Sequence, residues 1–143
     1  MNAEQIKNLQ QEFGLSYHIE FAATAEQLVG FKGKRVLEVG GNLPQRLVFD
    51  VLGVIQWTAL EEMDYWTETL STGHVCGTPP LSTEQYKSLR DVTPSDISSY
   101  NQLYGGIEQL PQTLEAKYDL VFSVAAFEHI TRLPLALEKR LFS

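Results

Sequence analysis

The residues best suited to chemistry follow a short run of β-formers near position 40. Val36, Leu37 and Val39 form an apolar run that is long enough for one buried strand and too short for a helix. Gly40 and Gly41 come directly after it, and paired glycines free the backbone for a turn that a Cβ would obstruct. A strand, a glycine turn and a helix in this order are typical of the nucleotide- or phosphate-facing corner of a doubly wound α/β sheet.

The residues after the glycine turn predict the helix that this corner requires. Asn42 is suited to cap the helix, and Pro44 suits its first turn, where a missing N–H is no loss. Apolar residues recur at helical spacing over Leu47–Leu52, and Gly53 is suited to end the helix.

A second strand is predicted over Val54–Leu60, and it ends at Glu61 and Glu62. The carboxyl end of a parallel strand opens on the ligand crevice, where a carboxylate can accept both hydroxyl groups of a ribose. The alternative is that the two acids begin a solvated helix, since the helix dipole favours acidic residues at that end.

Two further strands complete the predicted sheet. A third is expected over Tyr100–Tyr104, ending at Gly105 and Gly106. The stretch Tyr118–Phe127 is nearly continuous in apolar residues without alternation, which is typical of a central parallel strand buried on both faces. A last amphipathic helix is expected over 133–141, with leucines on one face.

Helices are predicted before the first strand. Asn2 and Gln5 are spaced like a capping pair, and Gly14 suits the end of that helix. Thr24–Gln27 has the pattern of a second capping box and predicts a short helix that runs to Gly30. Between them His18 is either a polar group on a packing surface or a lid residue over the site.

One domain is expected from 143 residues, with N-terminal helices over 1–33, a core over 34–143 and an insertion at about 63–99. Within the insertion, Ser82–Gln85 predicts a short helix through Leu89, and Thr93–Asp96 predicts a turn. His74 and Cys76 are two positions apart but lack further partners at zinc-type spacing, so no metal site is predicted.

The composition excludes several classes of protein. A formal net charge of −7 disfavours a general nucleic-acid binder, because an acidic surface repels phosphate backbones. Cys76 is the only cysteine, so no internal disulfide can form. No signal peptide and no membrane-spanning segment is recognisable, so we expect a cytoplasmic protein without a membrane partner.

Four pieces of the sequence together resemble class I S-adenosylmethionine-dependent methyltransferases. They are Val36-Leu37-Glu38-Val39-Gly40-Gly41, Leu60-Glu61, Tyr118-Asp119-Leu120-Val121 and Phe127-Glu128-His129-Ile130. The resemblance spans roughly Lys34 to Leu141. It implies a Rossmann-like, three-layer αβα fold with a mainly parallel sheet, and the methyl donor lying across the strand ends.

The resemblance also implies roles for individual residues. Glu38 would lie near the amino group of the methionine moiety, and the turn Gly40-Gly41-Asn42 would face that moiety. Glu61 would hold the ribose. Gly106 and Ile107 would lie beside the adenine, with Ser123 lining the site below it.

The sequence also departs from the family pattern. Asn42 and Pro44 stand where the family usually repeats glycine, and proline stiffens the loop and removes an N–H. Gly106 stands where the family often has an acid, and Glu108 follows two positions later. The sheet would be incomplete, with nothing left for the family's last three strands. We therefore expect S-adenosylmethionine to bind weakly or not at all.

Glu128 and His129 are the candidate catalytic residues. In the family this pair can lie near the acceptor, and a histidine can serve as a general base near neutral pH. The alternative is that Glu128 caps the last helix while His129 packs against it. Methyl transfer mainly requires alignment, so a base is not obligatory.

Three functions therefore remain open. The first is a methyltransferase acting on a small-molecule acceptor that the sequence does not identify. The second is a non-catalytic, truncated methyltransferase remnant that serves as a dimeric structural or interaction module. The third, a nicotinamide-binding domain, is disfavoured because residues 40–45 lack the G-x-G-x-x-G register.

A homodimer is expected in either of the first two cases. The stretch Leu120–Phe127 has neither charge nor proline to protect a strand edge, and the helix over 133–141 would leave an apolar surface uncovered. The predicted interface is centred on these two elements.

Overall fold

A computed structural model gives the architecture of the chain, an α/β fold built on an open, parallel sheet. This confirms the predicted fold class of an incomplete, Rossmann-like parallel sheet. The residues that the structure describes are 1–14, 16–41, 43–61, 87–115 and 117–124.

Two helices and five strands, together with several short helical turns, make up the described fold. The helices are α1, Ala3–Phe13, and α2, Ser16–Leu28; the strands are β1, Arg35–Val39, β2, Gln56–Glu61, β3, Lys87–Ser88, β4, Tyr100–Tyr104, and β5, Leu120–Ser123. A π-helical turn spans Leu47–Val51, and 3₁₀ turns span Leu89–Asp91, Pro94–Asp96, Ile107–Gln109 and Gln112–Leu114.

The strand order across the sheet is β3-β4-β2-β1-β5, and all the neighbouring strands run parallel. Leu37 pairs with Thr58 of β2 on one side and with Val121 of β5 on the other. In the strand order of the family that the sequence resembles, the first strand lies between the second and the late apolar strand, and the structure has this order. β4 spans the stretch Tyr100–Tyr104 that the sequence predicts.

Each face of the sheet carries its own hydrophobic core. On one face α1, α2 and the π-helical turn pack on a cluster that includes Ile19, Phe31, Trp57 and Phe122. The opposite face holds a second cluster, in which Leu89, Ile107, Leu110 and other side chains of the 3₁₀ turns cover Leu37, Leu60 and Leu103. Among the described residues, 3₁₀ turns and loops cover this second face. Residues 62–86 and 125–143 are not among them.

The first helix forms as its capping residues predict. The Asn2 side chain accepts a hydrogen bond from the Gln5 N–H, and the Gln5 side chain accepts one from the Asn2 N–H, both at 2.9 Å. Gly14 ends the helix in the left-handed conformation, with φ of 66°.

The second helix begins eight residues before the predicted capping box, so that prediction is wrong. α2 starts at Ser16 and runs through Thr24, whose hydroxyl donates to the Glu20 carbonyl at 3.1 Å. The hydroxyl of Thr24 therefore bonds back along a continuing helix instead of capping a new one. His18 lies half-buried in this helix, where burial lowers the pKa of its imidazole.

The segment after the glycine turn forms a shorter helix than predicted. Val48 N–H bonds the Pro44 carbonyl at 3.1 Å, which is helical spacing, but the Leu52 N–H bonds the Leu47 carbonyl five residues back. This widened turn buries Leu47 and Val48, and Gly53 ends it at a φ of 71°, as the sequence predicts.

The later part of the predicted insertion, residues 87–99, is described and partly differs from expectation. Lys87 and Ser88 form the edge strand β3, so the helix predicted to continue through Leu89 is wrong at its end. The turn predicted at Thr93–Asp96 is confirmed as a 3₁₀ turn, in which the Asp96 carboxylate accepts from the Thr93 N–H at 2.9 Å.

An ion pair ties the beginnings of β1 and β5 together. Arg35 donates to both carboxylate oxygens of Asp119 at 3.1 Å, and its backbone N–H donates to the same carboxylate at 2.8 Å. The hydrogen bonds from the Arg35 side chain and backbone lower the Asp119 pKa to about 2. The pair fixes the register of two strands that are 84 residues apart.

Candidate functional site

The carboxyl ends of β1, β2, β4 and β5 meet along one edge of the sheet. The register pairs Glu38 with Ala59, and Ala59 with Gln102, so neighbouring strands end at similar heights. Seven of the eight predicted cofactor-binding residues lie on these strand ends or in the turns that follow them: Glu38, Gly40, Gly41, Glu61, Gly106, Ile107 and Ser123. The eighth, Asn42, lies outside the described residues.

The glycine turn after β1 folds over the end of β2. The N–H groups of Gly40 and Gly41 both donate to the Leu60 carbonyl, at 2.8 and 3.3 Å. Gly40 has a φ of 76°, which a residue with a Cβ rarely adopts. An ideal Cβ on Gly41 would lie 3.0 Å from a carboxylate oxygen of Glu38, so this position also favours glycine.

The Glu38 carboxylate is buried beneath this turn and bound to its backbone. Its two oxygens accept from the Leu43 N–H at 2.9 and 3.2 Å, and the residue is 2% exposed. In the structure the Glu38 carboxyl group binds the backbone of the loop that follows the glycine turn. Its predicted contact with a ligand amino group stays a prediction.

Burial raises the pKa of Glu38 to about 8. The hydrogen bond from the Leu43 N–H opposes this rise, and the nearby negative charge of Glu61 adds to it. The indole N–H of Trp57 also opposes it, without reaching the geometry of a full hydrogen bond. Glu38 therefore carries a proton at neutral pH, which is the cheaper state for a buried acid.

A side chain of β4 binds the carbonyl group of Leu43. The Tyr100 hydroxyl donates to the Leu43 carbonyl at 2.7 Å, and the side-chain amide of Gln102 donates to that hydroxyl at 3.1 Å. Leu43 is thus fixed at its N–H by Glu38 and at its carbonyl by Tyr100. We call this arrangement of Glu38, Leu43 and Tyr100 the Leu43 clamp. The sequence pattern does not predict it, because Glu38 and Tyr100 are 62 positions apart and the three residues share no motif.

Glu61 ends β2 beside the glycine turn. It is half-buried, and its carbonyl accepts the Gly105 N–H at 2.8 Å, which joins the ends of β2 and β4. Glu61 thus lies between two glycine turns, and its predicted contact with a ribose stays a prediction.

The turn after β4 brings the carboxylate of Glu108 beside Gly106, the position where the sequence has no acid. Gly105 has a φ of 145°, and an ideal Cβ on it would lie 2.8 Å from the Gln109 side chain and 2.9 Å from that of Leu89. An ideal Cβ on Gly106 would collide with the carboxylate of Glu108. Glu108 therefore folds back over Gly106, and in the described ranges its Oε2 is buried without a hydrogen-bond partner.

The side chains of the two remaining predicted residues, Ser123 and Ile107, are engaged within the protein. The Ser123 hydroxyl donates to the Val39 carbonyl at 2.9 Å, across the paired ends of β5 and β1. The Ile107 side chain is buried in the second core, so only its backbone can face the crevice.

The candidate catalytic residues Glu128 and His129 lie outside the described residues, as do His74, Cys76 and the helix predicted over 133–141. Among the residues that the structure does describe, no three His, Cys, Asp or Glu side chains come together in a way that could hold a metal ion. In the same residues, no helix combines the length and the apolar character needed to cross a bilayer.

Comparisons with known proteins support the fold. No protein-family model and no curated protein matches the sequence. Among solved structures, the chain is similar to the YcgJ protein from Bacillus subtilis, with a TM-score of 0.55 and 16% sequence identity. The alignment covers 88% of this chain and 47% of that one, so the chain spans about half the length of this neighbour.

Proposed function

We propose that the chain is a methyltransferase-like domain that binds S-adenosylmethionine at the carboxyl ends of β1, β2 and β4. The observation that carries the proposal is the alignment of two glycine turns and the Glu61 carboxylate along one sheet edge. Dinucleotide- and nucleoside-binding α/β folds hold their ligands at this edge, and the glycines permit close backbone approach.

The residues present fit the three parts of this cofactor. The turn at Gly40 and Gly41 is where the methionine moiety would lie, and Glu61 would accept hydrogen bonds from both ribose hydroxyls. Glu108 supplies the acid that position 106 lacks: its unpartnered Oε2 beside Gly106 can accept a hydrogen bond from the 6-amino group of adenine.

When bound, S-adenosylmethionine supplies an electrophilic methyl group on its sulfonium sulfur. The chain's own contribution is alignment, because methyl transfer requires the acceptor, the methyl group and the sulfur in line. The Leu43 clamp fixes the backbone of Leu43 beside the glycine turn before the ligand arrives, which reduces the ordering cost of binding. Glu128 and His129 remain the proposed acceptor-side pair, with a small molecule as the proposed acceptor.

One observation favours the alternative of a non-catalytic module. Glu38 is buried, protonated at neutral pH and already bound to Leu43, so it offers no exposed charge to the ammonium group of the cofactor. We therefore expect weak affinity, with the ribose and adenine contacts providing most of it.

Titration with S-adenosylhomocysteine tests the proposal. We expect saturable binding with a Kd of about 10–500 µM by isothermal titration calorimetry. Glu61→Ala should weaken it about tenfold or more, because the ribose hydroxyls lose a charged acceptor. Glu20→Ala removes an exposed carboxylate of α2 and should leave binding unchanged. A wild-type chain that shows no saturation at about 1 mM would contradict the proposal and favour the non-catalytic module.

The role of Glu108 has a separate test. S-inosylhomocysteine carries a carbonyl in place of the 6-amino group, so the wild-type chain should bind it about fivefold to tenfold less tightly than S-adenosylhomocysteine. Glu108→Gln should narrow this preference, whereas Glu115→Gln, in the following 3₁₀ segment, should retain it. Equal preference in the wild-type chain and in Glu108→Gln would show that the carboxylate does not contact the adenine.

A further inference from the structure

Four of the five large apolar side chains that are exposed in the described residues gather on and beside α2; the fifth, Ile55, precedes β2. Tyr17 is 55% exposed, Phe21 45% and Leu28 77%, and Val29 follows the helix at 54%. Positions 17, 21, 24 and 28 are spaced by four, three and four residues, so they share one face of the helix. We call Tyr17, Phe21, Thr24, Leu28 and Val29 the α2 stripe.

The α2 stripe lies opposite the face of the helix that packs on the sheet. Ile19 and Ala22 point into the first core and are completely buried. Thr24 does not interrupt the stripe, since its hydroxyl is already bonded to the Glu20 carbonyl and leaves its methyl group on the outer face. The rings of Tyr17 and Phe21 contact each other at an interplanar angle of 51°, with ring centroids 4.8 Å apart.

The exposed apolar surface of the α2 stripe is comparable to the largest apolar patch of a typical monomer, and such patches are often functional. Burying the exposed parts of these side chains would remove roughly 400 Å² per copy, and roughly 800 Å² in a symmetric pair. The polar residues on either side of the stripe, including Glu20 and Gln27, would enlarge this area toward the roughly 1,200 Å² of a small specific interface. Contiguous exposed patches of this size mark association surfaces more often than bare surface.

We propose that the α2 stripe pairs with the same stripe of a second copy of this chain, with the two α2 helices antiparallel. A two-fold axis near the middle of the stripe sets Tyr17 against Leu28 of the other copy, and Phe21 against Thr24. Phe21 then meets the smaller Thr24 and Tyr17 meets the apolar Leu28, so the surface pairs with itself as a two-fold interface requires. The antiparallel arrangement also brings opposite ends of the two helix dipoles together.

The described part of β5 is a weaker candidate for the dimer interface that its sequence predicts. Phe122 is buried in the first core, and Leu120 and Val121 are only partly exposed while packing against the two cores. The interface predicted on β5 and the helix over 133–141 stays a prediction. The α2 stripe exposes more apolar surface and does not depend on cofactor binding.

Sedimentation equilibrium of the full chain at about 10–100 µM tests the pairing. We expect a dimer, and a dimer dissociation constant at least about tenfold larger in Leu28→Glu, which places a charge in the apolar contact opposite Tyr17 of the other copy. Gln112→Glu adds the same charge at an exposed position in the 3₁₀ turn that covers the opposite face of the sheet, and it should leave the dimer intact. A wild-type monomer at about 100 µM, or an unaffected Leu28→Glu dimer, would overturn the proposal.

Cross-linking tests the antiparallel register directly. In a Cys76→Ser background, an equimolar mixture of Tyr17→Cys and Leu28→Cys should form a disulfide between the two variants, about fivefold more than either variant forms with itself. Equal yields in all three samples would contradict the antiparallel pairing. If Arg140→Glu dissociates the dimer while Leu28→Glu does not, the interface lies on the last helix and the α2 proposal is wrong.

Discussion

The stability of this chain should fall by about 3 kcal/mol between pH 5 and pH 8, and Glu38→Gln should abolish most of that fall. The pKa of Glu38 is about 8 in the folded protein and ordinarily about 4.5. Between these values the folded state keeps a proton that the unfolded chain has released. The contribution is therefore fully present below about pH 4.5 and is lost as the pH rises through about 8.

Urea denaturation of the wild-type chain and of Glu38→Gln across this pH range provides the measurement. Glutamine retains an oxygen that can accept from the Leu43 N–H and has no proton to release, so the variant should be stable with a nearly flat pH profile. Glu20→Gln, on the exposed face of α2, is the matched control and should keep the wild-type slope. Parallel profiles for the wild-type chain and Glu38→Gln would show that the buried carboxyl does not govern the pH dependence.

Gly105→Ala should destabilise the fold by about 3 kcal/mol and weaken S-adenosylhomocysteine binding with it. A Cβ at this position meets the Leu89 and Gln109 side chains at under 3 Å, and the φ of 145° is unfavourable for any residue but glycine. Leu89 is buried in the second core and cannot move aside cheaply. The turn that carries Gly106 and Glu108 would shift as a result.

Gly33→Ala separates the steric effect from the backbone effect. Gly33 also has a positive φ, of 72°, but a Cβ there meets nothing within 4 Å. Gly33→Ala should lower the free energy of unfolding by about 1 kcal/mol, measured with denaturant, and leave the binding of S-adenosylhomocysteine unchanged. Equal losses in the two variants would mean that crowding at Gly105 contributes little.

The sheet was predictable because its signals are local and agree with one another. The apolar run before Gly40, the run before Glu61 and the stretch that begins at Tyr118 each identify a strand without reference to the rest of the chain. The position of β1 between β2 and β5 followed from the strand order that the family resemblance implies, and the crossovers of short parallel strands leave few alternatives to it.

The helices were harder to predict because one local pattern serves two purposes. Thr24 followed by Gln27 resembles a capping box, yet in the structure the hydroxyl of Thr24 bonds back to Glu20 inside a continuous helix. Packing of Ile19 and Ala22 against the sheet stabilises the helix through this point, and a pattern of four residues carries no information about that packing.

The site was predictable in outline and not in its long-range contacts. The glycine turns and Glu61 could be placed from their positions after strands. The Leu43 clamp depends on Tyr100, 57 residues away, and the position of Glu108 depends on how its carboxylate folds back over Gly106. Both require the three-dimensional path of the chain.

The pairing of β1 with β5 also determines how long one edge of β1 stays unpaired during synthesis. β1 is an inner strand, but the partner for one of its edges begins at Leu120, 84 positions after Val36. At translation rates of about 5–20 residues per second, that edge stays open for roughly 4–17 s after β1 has been made. Val36, Leu37 and Val39 are apolar and uncharged, so the nascent chain offers a strand edge of the kind that chaperones cover.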